Sequence, residues 1–436
     1  MVNNGDRKKA LLIALPNPNF YDPKIAPPLG LLYLASAVKD IADVTIIDLN
    51  IDDLPDHRLE ENEYDVIGVS VMTSTYYIYR TLSWYIKAYF RGALLVAGGP
   101  HITSRATEVL KETPTDICIV GEGELSFWDA IVNGRNRIPD HTIIHNSMIP
   151  QSLFDEIKFP ARELLDFSKY TRTIDGKSAS NIITARGCAG KCIFCSQQTW
   201  NHKLRMHSAE YVLAEVDDIK EKTGIDRLLF LDDTLTVNKK RLLKICAGLK
   251  ERNIIWRGWT RSDYVDKEML VTMKDSGCYS ICFGIESGSQ KVLDIMKKKI
   301  TVEQNQKAIR IAKNAGLNVR VSIMVGCPDE TLKDVFLTEL FMSINKEYID
   351  DYILSTFVPV VGSESFENPE AFGIILDERE IKQNHYKNYF VITGNEKTEI
   401  VMEYKDKSRE EIMVHRKHLE EFLRHNIKRN VEASVK

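Results

Sequence analysis

Short apolar runs alternate with helix-length amphipathic segments along most of the 436 residues, and that alternation leaves the chain few folds to choose from. Strand-like runs lie at residues 10–15, 44–49, 66–72, 94–97 and 117–120. Between them, segments such as 29–39 and 76–89 carry apolar residues at helical spacing. Largely apolar strands joined through helices build parallel sheets covered on both faces. Residues 1–135 therefore predict an α/β, doubly wound, Rossmann-like domain, which binds ligands at the carboxyl ends of its strands. Pro139, Pro150 and Pro160 punctuate a stretch without periodicity, so 136–180 is expected as a linker. The alternation then resumes, with strands near 182–185, 227–231, 254–259, 279–283, 319–325 and 351–358. Six such units over 181–360 predict a partial (β/α)6 barrel of TIM type, with polar residues at the strand C-termini where barrel chemistry sits. Residues 361–436 are expected as a small C-terminal α/β or helical cap over the barrel mouth. It includes a charged amphipathic helix at 408–424.

Where linker meets barrel, Cys188, Cys192 and Cys195 follow an apolar run, and Gly187 and Gly190 let the backbone wrap. Three thiolates on one tight loop converge on a metal centre that keeps one position open. Zinc would bring a fourth Cys or His at finger or ribbon spacing, and His202 and His207 fit neither pattern. Eight cysteines used in this way suit a reducing, anaerobic cytoplasm rather than a disulfide scaffold. A net charge of −4 offers no basic field for nucleic acid as the main partner. No apolar run approaches the ~20 residues that span a bilayer, and the run at 10–15 is too short for a signal peptide. A cytoplasmic monomer is expected.

The Cys-x-x-x-Cys-x-x-Cys loop, with Phe194 before its last cysteine, resembles that of the radical S-adenosylmethionine (SAM) superfamily. The resemblance implies that Cys188, Cys192 and Cys195 ligate a [4Fe–4S] cluster whose remaining iron is chelated by SAM. Gly284-Ile-Glu-Ser and Val325-Gly-Cys-Pro-Asp-Glu-Thr resemble that family's SAM-binding strand ends. SAM is zwitterionic, so its site needs a carboxylate, a cation and a flat apolar surface. The implied contacts are Phe194, Asp232, Arg261, Glu286, Ser287, Ser322 and Val325, with Phe194 and Val325 flanking adenine. Cys327, at the barrel mouth, is a candidate catalytic hydrogen donor, whereas Cys246, Cys278 and Cys282 read as core residues.

Ser70-Val-Met-Thr-Ser-Thr75, Gly98-Gly-Pro-His101 and Gly121-Glu-Gly-Glu124 close strands three, four and five. In that order, ahead of such a barrel, they resemble the cobalamin-binding domain of a large branch of the same superfamily. The implied contacts are Asn17, Tyr21, Ser70, Thr73, Gly98, Gly99, Pro100, His101, Gly121, Glu122, Gly123 and Glu124. The chain departs from the branch in one respect. Many cobalamin proteins carry Asp-x-His-x-x-Gly after the first strand, and residues 16–28 contain no histidine. Cobalt is therefore expected to lack a histidine of that motif, its lower face meeting water, nothing, or an oxygen of Asn17, Asn19, Tyr21 or Asp22. His57 and His101 read as exposed-loop residues rather than cobalt ligands.

The resemblance spans about residues 10–365 and implies a cobalamin-dependent radical SAM methyltransferase. It would methylate an unactivated carbon through a 5′-deoxyadenosyl radical and methylcobalamin, fed by a flavodoxin- or ferredoxin-type donor. The substrate would be a protein or peptide side chain, for example a residue of methyl-coenzyme M reductase, or a small metabolite. The same parts serve a non-methylating cyclase or ring contraction. A corrinoid sensor or carrier would not need the cysteine loop. A methylthiotransferase acting on transfer RNA would carry three more cysteines in its first domain, where this chain has only Cys118.

Overall fold

The structure, a computed structural model, describes residues 7–17, 22–52, 64–137, 139–146, 148–196, 203–377, 381, 386 and 402–427. The chain divides into two compact units. The first holds Met1–Thr171 with two short later segments, one of them Ile381–Lys387, and the second holds most of the remainder.

In the first unit, β1 (Lys8–Ala14), α1 (Leu29–Val38), β2 (Ala42–Asp48) and β3 (Val66–Ser70) alternate as expected. They are followed by α2 (Tyr76–Tyr89), β4 (Leu94–Gly98), α3 (Pro100–Glu112), β5 (Ile117–Val120), α4 (Glu124–Arg137) and β6 (Thr142–His145). All six strands pair in parallel in the order β2-β1-β3-β4-β5-β6. Because β2 and β3 flank β1, the chain leaves β1 to opposite sides, and the loops after β1 and β3 part at a switch point. The strand interiors are buried, Leu11, Leu12, Ile67 and Leu95 among them, as a sheet covered on both faces requires. β6 lies in the stretch expected as a linker. Its run Thr-Ile-Ile-His is too short and too close to prolines to stand out by periodicity.

The second unit opens with a two-stranded ribbon, β7 (Thr173–Ile174) with β8 (Lys177–Ser178), and continues into β9 (Ser180–Ile182). β10 (Ala185–Arg186) and β11 (Arg205–Met206) pair antiparallel around the cysteine loop. Then come α5 (Ala209–Thr223), β12 (Arg227–Phe230), α6 (Lys239–Glu251), β13 (Ile255–Thr260), α7 (Lys267–Asp275) and β14 (Cys278–Glu286). α8 (Gln290–Ile295), α9 (Val302–Asn314), β15 (Asn318–Val325), α10 (Leu332–Asn345) and β16 (Asp351–Thr356) complete the series. β9 and β12 to β16 form one parallel sheet, order β16-β15-β14-β13-β12-β9, whose edge strands β16 and β9 stay apart. This is the expected partial barrel.

Its outer face is the core. Along β15, Val319, Val321, Ile323 and Val325 join the main apolar cluster, while Asn318, Arg320, Ser322 and Met324 alternate onto the inner face. Helices start where the sequence offers an acceptor: Ser208 accepts from Tyr211 N, and Thr301 with Gln304 closes a capping box.

The described part of the C-terminal region is α/β, as expected. β17 (Ile374–Leu376) pairs with β18 (Met402–Tyr404), and α11 (Arg409–Asn426) packs on α10. Leu419 and Leu423 of α11 enter the main core, and Arg416 donates to Thr356 Oγ1 at 2.8 Å. The last helix thus extends the helical layer outside the sheet. Its amphipathicity serves the core of the unit, and its first turn also brings Ile412 into the cluster around Ile193 and Cys327.

Candidate functional site

The β10–β11 pair clamps the base of the cysteine loop. Gly187 follows β10 at φ +92°, and a Cβ there would overlap the Lys203 carbonyl, so only glycine fits. Beyond it Cys188, Cys192 and Cys195 are half-buried free thiols. Gly190 N donates to Cys188 Sγ at 3.3 Å, and Cys195 N to Cys192 O at 3.1 Å. The middle of the loop is pinned by Ile193, whose N–H donates to Met296 O while its carbonyl accepts from Ser365 N. Burial raises the Cys192 thiol, against the pull of Lys298 and Arg261. Among the described residues no three His, Cys, Asp or Glu side chains close tightly enough for a single ion. A four-iron cubane spreads its thiolates over different irons, so three thiols on one loop beside two cations fit it.

Facing the loop, Arg261 stands at the end of β13, held by Asp263 (Nε–Oδ1 3.0 Å) and by its own bond to the Lys298 carbonyl (2.8 Å). Its Nη1 lies 3.3 Å from where a Cβ on Gly190 would stand, in a space also bordered by the sulfurs of Cys188 and Cys192. Glu286 ends β14 at φ +63° and forms a buried ion pair with Lys298, Nζ–Oε1 2.6 Å. Gly284 makes room for it: a Cβ there would sit 2.6 Å from the Glu286 carboxylate and 2.9 Å from Lys298 Nζ. Lys298 Nζ also lies 5.9 Å from the centre of the Phe194 ring. The loop, Arg261, Glu286 and Phe194 are therefore brought together, with a cation, a carboxylate and an aromatic face for a zwitterionic nucleoside. Lys298 was missed in the sequence, where Lys297-Lys298-Lys299 reads as a solvated charge run.

The other expected SAM contacts are placed differently. Both oxygens of Asp232 are occupied, accepting from Thr184 N at 2.6 Å, Ala185 N at 3.1 Å and the Thr184 hydroxyl. Asp232 therefore ties the β9–β10 connection to the end of β12, and burial raises its pKa. Ser287 turns to α10, 3.2 Å from the Thr338 hydroxyl. The Val325 side chain points outward into the core, and Met324 takes the inner face at that level. Ser322 is on the inner face. Cys327 is fully buried among Ile193, Phe357, Met402 and Ile412, and burial pushes its thiol well up. It is a core residue rather than a hydrogen donor at an open mouth. His207 stacks on Tyr211 at 3.8 Å, away from any ligand role.

In the first unit the loops after β3, β4 and β5 gather at one sheet end. Ser70 closes β3, and Gly99, at φ +100°, turns so that a Cβ would stand 2.9 Å from the Val71 carbonyl. Over Gly98 a Cβ would meet nothing within 4 Å. His101 was expected on an exposed loop, yet it is 0% exposed. Its Nδ1 lies 3.3 Å from Thr73 Oγ1, Tyr76 stacks on its ring at 4.2 Å, and Tyr386 meets it edge-on at 5.1 Å. Burial drops its pKa to about 3, so the ring is neutral, and Nε2 has no hydrogen-bond partner. Gly121 N donates to Thr103 Oγ1 at 3.1 Å, and Glu122 accepts from Ile149 N at 2.8 Å. Gly123 lies against Leu34, Glu124 opens α4 and Pro100 opens α3. Asn17 is buried, its N–H bonded to Asn50 Oδ1 at 3.1 Å. Asp22 accepts from Lys24 N and the Thr171 hydroxyl. Asn19, Tyr21, His57 and His202 lie outside the described residues. Open space over Gly98 beside an orphaned, buried imidazole nitrogen fits the nucleotide tail of a corrinoid.

Known proteins match both units. The family model of the radical SAM superfamily covers residues 182–341, and that of the B12 binding domain residues 23–130. An uncharacterized methyltransferase of Pyrococcus horikoshii is 34% identical over 80% of this chain and 80% of the relative. The anaerobic magnesium-protoporphyrin IX monomethyl ester cyclase of Rubrivivax gelatinosus is 27% identical over 70% of this chain, which spans 60% of the cyclase. In fold, the chain is similar to a radical SAM methyltransferase from Kitasatospora setae solved with cobalamin and a [4Fe–4S] cluster bound. There the TM-score is 0.70 at 17% identity, over 97% of this chain and 91% of that one.

Proposed function

This chain belongs to the radical SAM superfamily, in the branch that carries a B12-binding domain, and from that premise we propose that it methylates an unactivated carbon of its substrate. Its cofactors are a [4Fe–4S] cluster, SAM and cobalamin. Bound, they supply hydrogen abstraction and a carried methyl group, the hard chemistry that no side chain provides. The protein holds and shields them. Cys188, Cys192 and Cys195 would ligate the cluster, and Arg261, fixed by Asp263, offsets the charge of the thiolates. The Glu286–Lys298 pair offers a carboxylate to SAM's amino or ribose groups, and Phe194 offers its ring to adenine. In the first unit Thr73, Gly98, Gly99 and His101 would hold the corrinoid tail.

The observation that supports methyl transfer best is the 34% identity to a methyltransferase across most of both chains. Anaerobic incubation with SAM, reductant and cobalamin tests it. Methyl transfer yields 5′-deoxyadenosine and S-adenosylhomocysteine in roughly equal amounts, with a substrate heavier by one methyl group. The cyclase relative favours a second reading, in which deoxyadenosine forms without S-adenosylhomocysteine. We also propose a flavodoxin- or ferredoxin-type reductant as partner; it is tested by replacing the chemical reductant with either protein.

A further inference from the structure

The inner face of the partial barrel carries positive charge that the SAM site does not use. A cavity of about 110 Å³, several times the ~10–15 Å³ that holds one water, is lined by Arg172, Arg257, Arg320, Trp259, Cys282 and Asp351 among others. Strand register places these residues in layers. Arg257 lies level with Leu229 and Ser280, while Trp259, Cys282, Arg320 and Asp351 form the next layer toward the cysteine loop. Successive layers are ~7 Å apart along a strand. Arg172 enters from the residue just before β7, and Ile174 of that ribbon packs with Leu229.

Charge in this cavity is unbalanced. Arg320 pairs with Asp351 (Nε–Oδ2 3.0 Å), and Asp350 is taken by Lys313 and by Val319 N. Among the described residues neither Arg172 nor Arg257 forms an ion pair, although Asp351 partly offsets the charge of Arg257, and Arg172 Nε is buried without a hydrogen bond. Burial and the neighbouring Arg257 push Arg172 down to about 10; burial and the neighbouring Arg320 do the same to Arg257. Guanidinium groups cannot shed their charge at neutral pH, so the strain of holding like charges together persists until an anion arrives.

We infer that this cavity seats an oxyanion of the substrate, a phosphate, phosphonate or carboxylate gripped by Arg172 and Arg257, so that the substrate is a small organic acid entering head first. The inference rests on the reading of this unit as the methyl-transfer chamber. It also sets a length: Arg261, just past the end of β13, is four residues on from Arg257, ~13 Å at ~3.3 Å per extended residue. The carbon to be methylated therefore lies within about that distance of the head. Trp259, between the two arginines on the same face, gives the organic part an apolar wall.

Thermal melting tests it with inorganic phosphate and, separately, acetate, chloride holding the ionic strength constant, on protein with its cluster assembled. Phosphate or acetate should raise Tm by several degrees, saturably. In R257Q and R172Q the half-saturating concentration should rise at least tenfold, while R252Q, on the helix side, should respond as wild type. Without anion, R257Q should melt no lower than wild type, since repulsion is relieved. No response to either anion, or a response that survives both substitutions, overturns the inference. Reductive SAM cleavage by the wild-type preparation is read alongside. Its failure with the anion response intact would sink the methyl-transfer reading and leave the anion site standing.

Discussion

Lys298 shows how much one residue can carry that its sequence context hides. Within a run of three lysines it reads as solvated charge, yet its side chain is 7% exposed and locked to Glu286. Removing it strands a carboxylate in the interior, a change that costs ~3–5 kcal/mol. K298M should therefore lower Tm sharply and weaken SAM binding in calorimetric titration. The double variant E286Q/K298M should regain stability without regaining SAM affinity, because no uncompensated charge remains while the carboxylate is gone. Glu286 itself was legible because it ends a strand within Gly-Ile-Glu-Ser. Its partner comes from the connection between α8 and α9, and a pairing across twelve residues of loop and helix leaves no periodic trace.

At the scale of elements, the strands were legible and their faces partly so. Strict alternation of Val319, Val321, Ile323 and Val325 with Arg320, Ser322 and Met324 is written in the sequence. Val325 falls on the core face by that period of two, although the motif it opens resembles a SAM-binding strand end. β6 and the β7–β8 ribbon were not legible at all, since two to four residues hold too few repeats to show a period. The cysteine loop depends on its clamp. G187A should fail to close the β10–β11 pair, since the Lys203 carbonyl occupies the place of the new methyl group. After anaerobic reconstitution the variant is expected to hold well under half the wild-type iron and sulfide, with the visible absorption of the cluster reduced in proportion. Wild-type iron content would mean that the loop tolerates another path.

For the whole molecule, pH bears on stability through a buried carboxyl that props the turn after β15. Glu330 is buried and accepts from Gly326 N and Cys327 N; burial raises its pKa to about 7 from an ordinary 4.5. The folded state thus holds this proton where the unfolded chain has released it. Its stabilising contribution is complete below about pH 4.5 and is lost as pH rises toward and through 7, a change of roughly 3 kcal/mol. Glu330→Gln keeps an acceptor without the titration. The wild-type minus variant difference in urea stability should therefore shrink or reverse between pH 5 and 8, and parallel curves would exclude this group as the cause.

The placement of the eight cysteines has a practical corollary. Cys118, Cys246, Cys278, Cys282 and Cys327 are all buried, each with its thiol pushed upward by burial, and only the three of the loop reach solvent. An alkylating reagent attacks thiolates it can touch. Brief iodoacetamide treatment of the folded, iron-free protein should therefore add three labels, at Cys188, Cys192 and Cys195, and intact-mass spectrometry of any preparation would read its cluster occupancy as the number of labels that fail to appear.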